Sequence, residues 1–110
     1  MEMKMKSIIV SIIATASLIT AAATLATEMP AAGKSRCGAC HTIDKKLVGP
    51  AWMDVSKKYK GDKDAASKIA LNITKGGAFG WKLGNMPPKG MGANEAEIKS
   101  LSEFIANLAK

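Results

Sequence analysis

One histidine, two cysteines and five aromatic residues in a chain of 110 leave few groups from which to assemble a polar site. Two cysteines three positions apart exclude a multi-bridge disulfide framework. Together with the lone histidine they fall short of the four ligands that a structural zinc site takes. No stretch alternates apolar and polar residues with period two, which argues against a sheet. There is no internal repeat or low-complexity run. Acidic residues are scarce, 9 against 16 Lys and Arg. The lysines are not interleaved with aromatics as a groove for single-stranded nucleic acid requires, so nucleic acid is excluded as a partner.

Charge itself is missing from residues 7–25, which are rich in Ile, Ala, Leu and Thr. Lys4 and Lys6 precede this stretch, and the small residues Ala21-Ala22-Ala23 and Thr24-Leu25-Ala26 close it. Basic, apolar, then small is the order of a secretory signal peptide, here spanning residues 1–26 with cleavage at Ala23 or Ala26. An uncleaved anchor is the competing reading, because about 18 apolar residues can span a bilayer. The scattered Ser and Thr favour removal and no stable membrane insertion afterwards. The remaining domain, residues 27–110, is short enough to need a staple or a cofactor beside its side-chain core. Without Glu2, Lys4 and Lys6 it keeps 14 basic and 8 acidic residues, a net charge of +6. A dispersed basic surface suits an acidic protein partner, the plainer reading being solubility alone.

Three helices can be read in that domain. Trp52, Val55 and Tyr59 mark one face of a short helix ending near Gly61. Asp62 or Asp64 can cap a second, with Ala66, Ile69, Ala70 and Ile73 on one face and Gly76-Gly77 as its stop. In the last, Asn94 and Glu97 make a capping box, and Ile98, Leu101, Ile105 and Leu108, with Phe104 beside them, form the buried stripe. Lys110 falls at the end favoured for a cation by the helix dipole. Residues 76–92 hold six glycines and two prolines, and a loop this long in a compact domain is usually functional.

Cys37-Gly38-Ala39-Cys40-His41 carries the most specific chemistry. Two thiols separated by two small residues can add to the two vinyl groups of a haem, and the next residue, His41, then falls beneath the iron. A dithiol redox site and a metal site are the alternatives. The first normally comes in a βαβ setting and the second needs more ligands. For the other face of the iron, methionine is the soft ligand on offer, from Met29, Met53, Met86 or Met91. Met29 is close to Cys37 and Met53 lies within a helix, where core or surface roles are the plainer reading. Met86 is favoured because Pro87-Pro88 stiffen the chain after it, whereas Met91 lies in a Gly-Met-Gly context.

Cys37-Gly38-Ala39-Cys40-His41, Val48-Gly49-Pro50-Ala51, Trp81 and Met86-Pro87-Pro88 together resemble the short monohaem class I bacterial cytochromes c. The resemblance covers most of the chain from Arg36 onward. It implies an all-α class I cytochrome c fold, three to four helices wrapped around one haem c attached through Cys37 and Cys40. It implies iron held by His41 and Met86, a Pro50 carbonyl that orients His41, and a Trp81 indole N–H that serves a haem propionate, with core packing as the alternative for Trp81. Phe104 would pack against the first helix. The function implied is one-electron transfer in the periplasm by a monomer that is not an enzyme. A quinol-oxidising complex or another cytochrome would be its donor, and a terminal oxidase, nitrite reductase or peroxidase its acceptor. A haem-based sensor or peroxidase-like protein with a labile methionine is the alternative. Two departures stand out. Residues 28–36 lack large apolar residues apart from Met29 and include Pro30 and Gly33, so the first helix should be short or frayed. Lys89 follows Met86-Pro87-Pro88 where the family commonly has an asparagine touching the methionine sulfur.

Overall fold

The computed structural model describes residues 27–110; the leader expected over residues 1–26 lies outside the described residues. Four helices follow in order: α1 (Ala31–Arg36), α2 (Trp52–Lys58), α3 (Ala65–Lys75) and α4 (Glu95–Asn107). Among the described residues no strand forms, only the isolated bridges His41–Lys46 and Gly77–Met86. The all-α class and the number of helices agree with the sequence. No helix among the described residues is long and apolar enough to cross a membrane.

α4 is the element against which the other three pack. Its capping box forms as expected: Asn94 Oδ1 accepts from Glu97 N–H at 2.8 Å, and Glu97 Oε1 accepts from Asn94 N–H at 3.1 Å. Ile98, Leu101 and Ile105 are buried, Leu101 completely. Leu108 is half-buried and follows the helix as its C-cap, and no basic residue occupies the last turn, so Lys110 lies beyond the dipole's reach. The end of α4 is fastened by α2 instead. Buried Ser56 accepts from Ala109 N–H at 2.9 Å and donates to the Ala106 carbonyl at 3.4 Å.

The buried face of α3 is Ala65, Ile69 and Ile73, with Ala66 and Ala70 only partly covered. Asp64 occupies the N-cap position but makes no side-chain cap bond. Asp62 does the work, accepting from Asp64 N–H at 2.8 Å and pairing with Lys68. α2 also lacks a capping side chain. Its first free N–H groups, on Trp52 and Met53, are taken by the carbonyls of Thr42 and Ile43 at 3.0 and 2.8 Å. Tyr59 is its C-cap.

α1 is short, as anticipated, but Gly33 is not there merely as a weak helix former. A Cβ on Gly33 would lie 2.7 Å from Met29 Cγ, 2.7 Å from Trp52 Cη2 and 3.2 Å from Leu101 Cδ2. Trp52, Leu101 and Met29 fill the space that a large side chain on α1 would occupy. Phe104 meets the Trp52 ring of α2 edge-on, at a centroid distance of 5.9 Å.

Candidate functional site

A predominantly apolar cleft of about 1050 Å³, counting its open mouth, is lined by residues 36–52 and residues 77–91, with Val55, Ile69, Ile73 and Ile105 behind them. Cys37, Cys40, His41, Pro50, Trp81 and Met86 all face it. Met91 also lines it, with a side chain left 63% exposed. Met29 is in the core instead, and Met53 does not reach this cleft.

The motif segment grows out of α1. Cys37 N–H closes onto the Gly33 carbonyl at 2.8 Å, and the N–H groups of Cys40 and His41 both reach the Cys37 carbonyl, at 3.1 and 3.0 Å. This single turn brings both thiols and the imidazole to one side of the backbone path. Gly38 is required by it, because a Cβ there would strike the Lys34 carbonyl. The two thiols are not joined to each other. Burial, then the neighbouring Cys40 and Glu97, hold the Cys37 thiol above its ordinary pKa. An activated redox cysteine needs the opposite shift.

His41 is buried with one ring nitrogen already committed. Its Nδ1 lies 2.8 Å from the Pro50 carbonyl. A carbonyl only accepts, so Nδ1 carries a hydrogen, and in the neutral ring the lone pair is then on Nε2. Gly49, tied to the Cys40 carbonyl at 2.7 Å, passes directly beneath the ring; a Cβ there would come within 3 Å of three imidazole atoms. The Trp52 ring supports the imidazole at a centroid distance of 6.2 Å.

The glycine-rich segment is held mainly by backbone. Met86 exchanges two hydrogen bonds with Gly77, each 2.9 Å, and Lys89 N–H reaches the Ile73 carbonyl at 2.7 Å. Gly76 admits this approach, since its Cβ would lie 2.5 Å from the Met86 carbonyl oxygen and 2.7 Å from Pro88 N. The Gly-Met-Gly stretch is less loose than its composition suggests, for Met91 N–H donates to the Arg36 carbonyl at 2.9 Å. Phe79, Lys82 and Lys89 adopt left-handed backbone, with φ of 52°, 60° and 60°. Lys58 Nζ sits 5.2 Å from the Trp81 ring centroid, a cation–π contact across the rim. Sequence reading passed over Asn72 in the lining and gave Tyr59, named only for its helix face, no place in the site. Asn72 donates to Tyr59 OH at 2.9 Å, and only their third-turn and cap positions on helices already suspected of facing the core could have hinted at it.

These residues fit a haem joined through both cysteines. The thiols share one side of an apolar cleft with a buried imidazole whose outward nitrogen is free to bind iron, and a backbone-pinned methionine lines the same space. No group of three or more His, Cys, Asp or Glu capable of holding a bare metal ion occurs among the described residues.

Comparison with known proteins agrees. The cytochrome c family profile matches residues 21–109. Cytochrome c-552 of Hydrogenobacter thermophilus is 44% identical over 77% of this chain and 84% of its own. Cytochrome c-551 of Stutzerimonas stutzeri is 36% identical over 94% of this chain and 99% of its own, an alignment long enough to enter the first 26 residues. The crystal structure of wild-type Nitrosomonas europaea cytochrome c552 superposes with a TM-score of 0.64 at 36% identity, over 70% of this chain and 95% of that one.

Proposed function

The chain belongs to the cytochrome c family and carries one haem c through Cys37 and Cys40, and from that premise we propose that it is a periplasmic one-electron carrier whose iron is held between His41 and Met86. When bound, the haem supplies an iron that cycles between two oxidation states one electron apart. The observation that carries the reading is His41. Its Nδ1–H is spent on the Pro50 carbonyl at 2.8 Å, which fixes the ring and leaves Nε2 toward a cleft that Met86 also lines.

The remaining residues of the chain have roles consistent with a carrier. Trp52, Ile69, Ile73 and Ile105 keep water from the cleft. Gly77 holds Met86 by its backbone, so that its thioether is presented without a large entropy loss. With His41 and Met86 both engaged, no position is left for a substrate, and the protein is not an enzyme. Trp81, which lines the cleft and is braced by Lys58, would serve a propionate. The mouth exposes Val48 and Met91. Lysines disperse around such a mouth a positive field that favours brief docking on acidic redox proteins. A quinol-oxidising complex or another cytochrome would donate, and a terminal oxidase, nitrite reductase or peroxidase would accept. Residues 1–26 act as the export signal, cut at Ala23 or Ala26.

The visible spectrum of ferric Met86→Ala beside wild type tests the ligand assignment. Loss of the methionine-to-iron charge-transfer band is expected; retention of the band would assign the sixth position to another residue. Intact mass of the periplasmic protein reads both the cleavage point and the single covalent haem.

A further inference from the structure

Fifteen of the sixteen Lys and Arg residues are lysine, and the single arginine, Arg36, directly precedes the first haem-bearing cysteine. Only its guanidinium offers several donors in a fixed planar fork. The structure uses that fork. Nη1 donates to the Met91 carbonyl at 3.2 Å, while Nε, buried and without a hydrogen bond of its own, lies 3.5 Å from Glu97 Oε1. The Arg36 carbonyl accepts from Met91 N–H at 2.9 Å, so both backbone groups of Met91 end on one residue. Gly90 makes the approach possible, since a Cβ there would lie 2.7 Å from the Arg36 carbonyl oxygen.

Both ends of this clamp are firmly mounted. Glu97 cannot swing away freely, because the same Oε1 accepts the Asn94 N–H that completes the α4 capping box. Met91 is joined to Met86 by a stiff path: Pro87-Pro88 have fixed φ, and Gly90 N–H closes a turn onto the Pro87 carbonyl at 3.0 Å. Arg36 is therefore the point at which the haem-attachment segment, the segment bearing Met86 and the start of α4 are tied together.

We propose that Arg36 is a positioning residue: by clamping Met91 and Glu97 to the approach of Cys37 it holds the glycine-rich segment shut and sets how readily Met86 leaves the iron. The proposal rests on Met86 being the sixth ligand. Gly77 and the Lys89–Ile73 hydrogen bond fasten the segment near Met86 and Arg36 fastens its far end, so an incoming ligand displaces the thioether more readily once the Arg36 tie opens.

The test is imidazole binding to the ferric holoprotein, followed by loss of the methionine band, with amide hydrogen exchange at Met91 as a second readout. Arg36→Ala should raise imidazole affinity about tenfold, the scale of one charge-assisted hydrogen bond, and should lower the protection of Met91 N–H, whose main-chain acceptor then lacks the guanidinium's support. Glu97→Gln, which retains an acceptor for Asn94 N–H and removes the charge, should move both readouts the same way by about threefold, and it carries the test if Arg36→Ala is not matured. Ser56→Ala releases the C-terminal end of α4, remote from the clamp, and should leave imidazole affinity within about twofold of wild type. Unchanged affinity in Arg36→Ala or, failing that variant, in Glu97→Gln would overturn the proposal. So would a shift in Ser56→Ala that matches theirs for the same loss of stability. A wild-type protein lacking the methionine band would instead overturn the ligand assignment, and the clamp's role with it.

Discussion

Residues 37–52 and residues 76–92 line the same cleft and are held there by different forces. The first segment is anchored by burial: His41, Ala51 and Trp52 are nearly inaccessible, and glycines at 38 and 49 let backbone and imidazole pack without a gap. In the second no residue is buried. It is shaped by backbone hydrogen bonds to α3 and to Arg36, and it holds every non-glycine residue with left-handed φ among those described. The attachment side is thus protected by packing, which resists small changes of volume. The Met86 side depends on the conformational preferences of single residues, which substitution can improve as well as damage.

The largest test of that contrast removes the packing. Trp52→Ala deletes the ring that supports His41, Phe104 and the Gly33 crossing, and it should cost about 3–5 kcal/mol in denaturant unfolding of the holoprotein. Gly49→Ala comes next. Its new methyl group must displace the His41 ring, at an expected cost of about 1–3 kcal/mol by the same unfolding assay. Because the ring would turn away from the Pro50 carbonyl, the ferric spectrum should shift as well. Lys89→Asn should go the other way. Asparagine tolerates the left-handed backbone better than lysine, so stability should rise by up to about 1 kcal/mol. If Lys89→Asn instead destabilised as much as Gly49→Ala, the two segments would not differ as described.

The smallest effect lies remote from both segments. Asp62 is held below its ordinary pKa by the Lys68 hydrogen bond first and by Asp64 N–H second. Its contribution is present above the usual carboxylate value and vanishes as pH falls through the lowered one. Lys68 is raised, mainly by Asp62, so its share is lost only as pH climbs through that raised value. Asp62→Asn should therefore lower Tm slightly at neutral pH and not at all in strong acid. The pair lies at the surface where solvent screens it, so thermal scans across acid pH should show a difference well below that of the three changes above.

How much of this was readable beforehand follows the range of each interaction. The α4 stripe and the Asn94–Glu97 box are local, set by residues three or four apart, and they were legible with their partners. The attachment motif was legible for the same reason. Gly33 was read only as a helix weakness, because its packing against Trp52 and Leu101 depends on residues far along the chain. Ser56 gave no sign that it fastens Ala109, 53 residues away. The α3 face was legible through Ile69 and Ile73, and only its flank was missed, where Ala65 is buried and Ala66 partly covered, because alanine on either side satisfies the same helical period. Lys89 was noticed only as a departure from an asparagine. Its φ of 60° gives a physical reason for the preference for asparagine at that place.

Met29 has a bearing on how the protein travels. It is buried in the core only two exposed residues after Ala26, so the folded domain begins almost at the expected cut. Two extended residues reach about 7 Å. With the leader still embedded in a bilayer, a tether that short would press the α1 end of the domain against the lipid headgroups. The domain could then neither tumble nor present its mouth to two partners in turn. On the proposed leader, mobility of the carrier would be decided at that junction, by how little slack Met29 leaves.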